Sequence, residues 1–395
     1  MAWKGPCAVG ERLQLVELVR NRGVSVSEAA RLFGVSRRTA HKWLGRSDAL
    51  GRERGLEDAS RARATQERFE GPALERLLDL RRLHSTWGPR TLLHWMKRRY
   101  PRLELPAAST LGDILRRNGL VVPRRRNVAP GVAAYRPGGS TPLEPNDRWT
   151  IDFKGDFRLG SGAKCYPLTI RDAVSRLILR IDALPNTRGE PALELLHAAF
   201  AEYGLPLELH SDNGTPFGST GIARLGAVSV FAVKHGIRPV FSRPGKPQDN
   251  GGHERMHRDV KAETTRPPGE DFTEQQERFD IFRHCFNDER PHQALGGDTP
   301  RSRWQPSSRI LSSSTPEPDY PSHWEQRTVG KLGQISWHST VVGVTKALGG
   351  ERIGLEPIDD GLWRAHFYAL PFGLLDERGA DTQVIGVNHP GGAAT

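Results

Sequence analysis

The chain has 395 residues, with 57 Lys and Arg against 46 Asp and Glu, a formal net charge of +11 and a pI near 9.9. It is long enough for about two to four domains. It has no apolar run of the roughly 18 residues a membrane-spanning helix needs, and its opening MAWKGPCAVGERLQ lacks the apolar stretch of a secretory signal. Three scattered cysteines, Cys7, Cys165 and Cys285, fit neither a disulfide framework nor a zinc knuckle, so a reducing cytoplasm is the expected compartment, and no membrane partner is expected.

The charge is uneven. Residues 1–130 hold 27 Lys and Arg against 13 Asp and Glu, a net of +14, while the remainder nets −3. Concentrated basicity favours a polyanionic partner, and nucleic acid is the commonest. The bland alternative is a solvated, arginine-rich surface.

The spacing over residues 1–50 predicts a helix-turn-helix domain. Leu13, Val16, Leu18 and Val19 recur at helical spacing, and Gly23 is placed to stop that helix. Ser25 with Glu28 has the pattern of a capping box. Gly34-Val35 marks the turn and Ser36 opens a third helix, with Val35, Ala40, Trp43 and Leu44 inward. Arg37, Arg38, His41 and Lys42 fall on its outer face, where a recognition helix meets phosphates and base edges. A plain three-helix bundle with a basic surface is the alternative. Residues 47–70 read as a polar, arginine-rich linker.

Residues 65–126 predict a second helix-turn-helix, possibly winged. Pro89 suits a first helical turn, Ser109 is the expected cap of the next helix and Gly119 its stop. Arg116 and Arg117 would face outward, and Arg124, Arg125 and Arg126 form a basic exit. Two DNA-reading modules imply a long site and salt-sensitive binding. Residues 127–146, rich in proline and without periodicity, read as a linker.

Residues 147–305 are the catalytic candidate. In RWTIDFKG, Trp149, Ile151 and Phe153 alternate with Thr150, Asp152 and Lys154, as on a strand. KCYPLTIRD and SRLILRIDAL are further strand-like runs, suggesting an antiparallel meander. A helix ending at Gly204, the strand PLELHSDNG, a second helix, the strand IRPVFSRPG and a helix opening near Asn250 follow. That order, βββαβαβα, indicates a mixed α/β sheet with helices on its faces.

Three carboxylates leave these elements: Asp152 in the first strand, Asp212 after the fourth, Glu254 on the last helix. Each alone has an ordinary explanation: an ion pair of Asp152 with Lys154 or Lys164, an Asx-turn at Asp212, an i,i+4 pair of Glu254 with Arg258. Together they make the hard-oxygen donor set that a pair of Mg²⁺ ions needs to activate an oxygen nucleophile and stabilise the leaving oxygen in phosphodiester chemistry. His210, His253 and His257 lie near them in sequence. His257 on the helix suggests a DNA or water contact, an exposed basic face being the alternative. Asn213 and Asn250 read as supports for the carboxylates or as loop-shaping residues, and Gln248 as a further DNA contact.

WTIDFKG, HSDNGTPF, RPGKPQDNGGHERMHRDVKAE and FNDERPHQALGGDTP together resemble the catalytic core shared by retroviral integrases and bacterial insertion-sequence transposases, the DDE transposases. The resemblance covers about residues 147–303. It implies an RNase H-like fold, catalysis by Asp152, Asp212 and Glu254, and two Mg²⁺ ions with Mn²⁺ as a substitute. The DN-x-x-x-E pattern falls on Asp249, Asn250 and Glu254. The basic residue seven positions on, which contacts the DNA end in such proteins, falls on Lys261, with Arg258 beside it. The closing N-x-x-R-P-H segment falls on Asn287, Arg290, Pro291 and His292. The upstream modules resemble those that bind terminal inverted repeats. Implied partners are inverted-repeat and target DNA and a second copy of the chain, as dimer or higher. Asp212 and Glu254 are 42 positions apart, longer than usual for the family, and a longer loop and helix between them would absorb the excess. The zinc-binding domain of retroviral integrases is absent. A DNA-binding regulator with an inactive core is the alternative function.

Residues 306–325 read as a Ser/Pro linker. The short, glycine-punctuated runs over 326–380 predict a small β-barrel, which the resemblance makes SH3-like, with Trp337 and Trp363 in its core. The expected architecture is thus multidomain: all-α helix-turn-helix modules, a central α/β RNase H-like mixed sheet and a small all-β SH3-like barrel.

Overall fold

A computed structural model describes residues 8–58, 69–121, 141–219, 224–243, 250–378 and 383–386. The chain divides into two compact units, Met1–Phe69 and Glu70–Thr395.

The first unit contains α1 (Ala8–Asn21), α2 (Val26–Leu32), α3 (Arg37–Leu50) and α4 (Arg52–Leu56). The Ser25 hydroxyl accepts the Glu28 N–H and the Ser36 hydroxyl the Thr39 N–H, so both helix starts have the caps their sequences predict. Gly23 and Gly34 take φ of 68° and 65°, the left-handed geometry glycine adopts without a Cβ penalty. Leu15, Val16, Ala29, Ala30, Ala40, Trp43 and Leu44 form the core. That core also takes in Leu56, so residues 47–50 and 52–56 lie in helices, broken at Gly51, rather than in a linker. The reason is Arg12. Its buried side chain stacks 3.8 Å over the Trp43 ring and donates to the Leu56 carbonyl at 2.8 Å, tying α4 back to α1 and α3.

The second unit begins with α5 (Pro72–Leu83), α6 (Pro89–Arg99) and α7 (Ala108–Arg117). Pro89 opens α6 as expected. α7 starts one residue ahead of Ser109, with Ala107 at its cap position and no side-chain cap, so Ser109 lies inside the first turn. These helices are fastened to the α/β region that follows. The Thr86 backbone N–H and hydroxyl both donate to Glu263 Oε1, and His84 Nδ1 lies 3.7 Å from Cys285 Sγ.

The central sheet comprises β1 (Arg148–Phe153), β2 (Phe157–Arg158), β3 (Lys164–Asp172), β4 (Ile178–Leu184), β5 (Glu208–Ser211) and β6 (Arg238–Phe241). β1, β3 and β4 form the expected antiparallel meander, while β5 and β6 add in parallel beyond β1. The main order is β4-β3-β1-β5-β6, with β2 continuing the β1 edge of β3. α8 (Gly189–Tyr203) and α9 (Ala227–Lys234) cover one face, where Trp149, Ile151, Leu196 and Phe200 share a core. α10 (Gly251–Thr264) and α11 (Phe272–His284) cover the other through Met256, Val260 and Phe279. The period-2 alternation of β1 therefore sends Trp149 and Ile151 to one layer and Thr150 and Asp152 toward α10.

The segment after the core lies along it: Leu205 N–H donates to the Arg309 carbonyl at 2.7 Å, and Tyr320 is buried. Among the described residues seven strands follow, β7 (Glu325–Thr328), β8 (Gln334–Trp337), β9 (Thr340–Gly343), β10 (Arg352–Asp359), β11 (Leu362–Phe367), β12 (Leu370–Asp376) and β13 (Gln383–Gly386). They form a five-stranded antiparallel sheet, β13-β12-β11-β10-β7, and a separate β8-β9 hairpin, not a closed barrel. Trp337 is buried in their shared core, with Trp363 packed beside it. The two indole N–H groups donate to the two oxygens of Glu377 at 2.7 and 2.9 Å, which places both rings structurally. No helix among the described residues is long and apolar enough to cross a membrane.

Candidate active site

β1 and β5 are parallel neighbours with Thr150 opposite His210. Two residues further along each strand stand Asp152 and Asp212, so the pairing register brings both carboxylates to the carboxyl ends of adjacent strands. That edge of an open α/β sheet is where ligands bind. α10 adds Glu254 from its first turn, on an exposed stripe with Arg258 and Lys261.

Asp152 senses both other carboxylates. Burial pushes its pKa up from 3.8 to about 7, the charges of Asp212 and Glu254 add to the rise, and the Phe153 N–H and Lys154 oppose it. Asp212 is raised by burial, against a hydrogen bond from the Gly214 N–H at 3.1 Å, the Asx-turn that its SDNG context allows. Lys164 pairs with Asp156 at 3.1 Å and is not the partner of Asp152.

The supporting polar groups are specific. Asn250 Nδ2 makes a long 3.4 Å contact with Asp152 Oδ2. Asn213 donates to the Ser242 carbonyl at 2.6 Å and accepts from Arg224, which ties the loop carrying Asp212 to the end of β6. Behind Asp152 runs a buried chain. Thr169 donates to the Asp152 carbonyl at 3.0 Å, and its oxygen lies 2.5 Å from His253 Nε2 and 2.7 Å from His257 Nε2. His253 Nδ1 reaches Thr150 Oγ1 at 2.8 Å.

His257 is therefore not on the outer face where a DNA contact was expected. It is 6% exposed, and burial, with Lys154 and Arg171, lowers its pKa to about 3, leaving a neutral ring that braces Asp152 from 3.9 Å. The positions one turn either side of Glu254 belong to different stripes of a 3.6-residue helix, and i+3 turned inward here. Arg258 and Lys261 are exposed, as are Arg37, Arg38 and Lys42 on α3 and Arg116 and Arg117 on α7. Arg116 is paired with Asp113 at 2.6 Å. Gln248, Asp249, Arg124, Arg125 and Arg126 lie outside the described residues.

Lys154 escaped the sequence reading as a site residue. Burial and the neighbouring charge of Lys261 lower its pKa while Asp152 raises it, so its ammonium stands between the carboxylates and the basic stripe. Its signal in the sequence was its place two residues after Asp152 on the same strand face.

Among the described residues no three His, Cys, Asp or Glu side chains make a ready-made metal cage. The donors are nonetheless hard carboxylate oxygens, and their mutual repulsion, recorded in the raised pKa of Asp152, is what a divalent cation would relieve. Mg²⁺ takes few carboxylates and keeps several waters, so an open set of this kind fits it.

A mixed sheet of this order, with carboxylates at the ends of β1 and β5, is the architecture of an integrase core. The integrase core domain family matches residues 142–247, a second integrase core domain family residues 235–300, and a helix-turn-helix domain family residues 11–64. Together the two core matches span residues 142–300, and with the helix-turn-helix match they support a place for this chain in the retroviral-integrase superfamily. A relative from Burkholderia multivorans (strain ATCC 17616 / 249), the insertion element IS407 uncharacterized 31.7 kDa protein, is 28% identical over 185 residues. That match spans 46% of this chain and 63% of the relative.

Among solved structures, the HTLV-2 integrase catalytic core domain in complex with magnesium (trimeric form) is 16% identical, with a TM-score of 0.30, over 41% of this chain and 97% of its own. The simian T-cell lymphotropic virus intasome, in complex with PP2A regulatory subunit B56 gamma, is 14% identical, with a TM-score of 0.36, over 78% of this chain and 95% of its own. The assignment rests on the family matches and not on these low-scoring likenesses.

Proposed function

We propose that this chain is a DNA transposase of the insertion-sequence kind. It binds the terminal inverted repeats of its element, cleaves to leave 3′-OH ends, and joins them to target DNA at the same site. Both steps are in-line attacks by an oxygen on phosphorus, first from water and then from the 3′-OH, so one constellation serves both. The observation that carries this reading is the convergence of Asp152 and Asp212 from adjacent parallel strands with Glu254 from α10, inside an integrase core.

In this reading Asp152, Asp212 and Glu254 hold two Mg²⁺ ions, or Mn²⁺ in their place. The bound metal supplies Lewis-acid stabilisation of the charge that develops on the phosphoryl and leaving oxygens. The chain's own groups do the positioning. Thr169, with His253 and His257 kept neutral behind it, fixes the β1 backbone at Asp152. Asn250 orients the Asp152 carboxylate, and Asn213 fixes the loop that carries Asp212. Lys154, Arg258 and Lys261 hold the DNA backbone across the site. Arg37, Arg38 and Lys42 on α3 and Arg116, Arg117, Arg124, Arg125 and Arg126 meet DNA in the terminal modules. Synapsis of two ends calls for at least a dimer on DNA.

The test is a cleavage assay on DNA carrying the element's own ends with Mg²⁺, run alongside a binding assay. Asp152→Asn and Glu254→Gln are expected to bind those ends but not cut them. Cutting by both variants at the parent rate would remove the site assignment. A parent chain that binds the ends but never cuts them would make it a DNA-binding regulator.

A further inference from the structure

The flank of α10 turned away from Glu254 closes a small cleft against β3 and the segment that ends in Arg290. The cavity is about 50 Å³, and its lining includes four guanidinium groups, Arg171, Arg176, Arg255 and Arg290, with Asp259 as the carboxylate among them. Arg290 Nη1 sits 2.8 Å from Asp259 Oδ2, close enough for an ion pair but not aligned as a hydrogen bond. Asp172, next to Arg171 in sequence, is occupied elsewhere, accepting from the Asn146, Val174 and Ser175 N–H groups and the Ser175 hydroxyl.

Arg171 is the unusual member. It is 6% exposed, and its buried Nε has no hydrogen-bond partner. Arginine is rarely buried without a matching acceptor, because an unmet charged donor carries its full desolvation cost. The surroundings are shaped around this side chain. A Cβ on Gly252 would sit 2.9 Å from Arg171 Nη1, so glycine at the start of α10 makes the room. Arg176 is held at φ 67°, a left-handed geometry that costs a non-glycine residue free energy. Burial and the charges of Arg176 and Arg255 lower the Arg171 pKa to about 10 against the opposing charge of Asp172, and Arg290, Arg176 and Arg171 help burial push His292 to about 3. The excess of positive charge is thus felt by its own neighbours.

We propose that this cleft is a phosphate-binding site and that it takes a backbone phosphodiester of DNA lying across α10. Planar guanidinium forks match phosphate oxygens in pairs, and an anion here would offset the crowded cations. The DNA part rests on the proposed function, and the cleft is a contact separate from the carboxylates and from Lys261.

The full-length protein is tested with two probes, inorganic phosphate at constant ionic strength and a duplex DNA over a salt titration. Phosphate should raise the melting temperature of the parent saturably, and should fail to do so in Arg176→Gln and Arg255→Gln. Gly252→Ala, which changes no charge and suits a helix, should lose the same effect. In the DNA titration Arg255→Gln should flatten the slope of log K against log salt by about 0.9, the value of one phosphate contact. Arg278→Gln removes a charge on α11 outside the cleft and should leave both readouts at the parent level. Equal stabilisation of all variants by phosphate, or an Arg278→Gln that behaves like Arg255→Gln, would overturn the site. Phosphate binding that needs the arginines while the DNA slope stays unchanged would overturn its assignment to DNA in favour of a free phosphate ligand. Asp152→Asn should keep both readouts, so a parent that shows them yet never cuts DNA defeats the proposed function and leaves the cleft standing.

Discussion

The two flanks of α10 carry opposite problems. On one, Glu254 joins Asp152 and Asp212, and burial, with the charges of the other two, raises the cost of ionising Asp152. On the other, Gly252, Arg255 and Asp259 face a cleft where guanidiniums do the same to each other. Between them the stripe His253, Met256, His257, Val260 and Thr264 is buried, so neither excess cancels the other. A single helix of 14 residues thus separates a cluster of carboxylates from a cluster of guanidiniums. Buried charges without partners are costly, and the cost is recovered when a ligand of the opposite sign binds. In the proposed reading a divalent cation binds at one flank and a phosphate at the other.

The sharpest break between the flanks is in chemistry. Glu254→Gln should lower end cleavage by about a thousand-fold or more, since removing one member of a catalytic unit costs nearly the whole effect. DNA affinity measured in parallel should stay within a few-fold. The buried stripe should answer in stability instead. Thr169→Val removes the hydroxyl shared by His253, His257 and the Asp152 carbonyl, leaving buried ring nitrogens unmet. Urea unfolding should show a loss of about 1–3 kcal/mol.

A third test uses pH. The value of about 7 for Asp152 lies above its ordinary 3.8, so folding favours the protonated form. The stability tied to that proton is full below about pH 4 and is lost as pH rises through 7. Asp152→Asn should therefore melt above the parent at pH 8, with the gap closing toward pH 4. A gap that is constant with pH would show that Asp152 is not raised in the folded protein. The smallest effect belongs to the exposed stripe: Arg258→Gln should weaken DNA binding a few-fold and flatten the salt slope by about 0.9.

Much of the acidic flank was legible in the sequence. Alternation around Asp152, the SDNG turn at Asp212 and the helix start near Asn250 are local signals, and they name the strands and the helix that deliver the three carboxylates. What could not be read was anything that depends on register. Thr169 meets His253 because β3 runs antiparallel to β1 with Asp152 opposite Thr169, and no local pattern carries that pairing. The same register, one pair further along on that face, sets Arg171 opposite Thr150 and opens the arginine cleft. His257 failed for a related reason: three residues beyond Glu254, it could sit on either stripe until the packing of α10 was known. α4 was hidden because a polar, glycine-containing run gave no sign that Arg12 would anchor Leu56. The C-terminal runs were legible as strands, but the closure that makes a barrel depends on long-range pairing, and β8-β9 pair apart from the larger sheet.

The central claim is that Asp152, Asp212 and Glu254 share a divalent cation. It is tested most directly by the melting temperature of the DNA-free protein at pH 8 across a Mg²⁺ titration, for the parent, Asp152→Asn and Glu254→Gln. A ligand that binds only the folded state raises stability with its concentration. The parent should rise saturably and both variants should stay flat. An equal rise in all three would place the cation elsewhere and contradict the account.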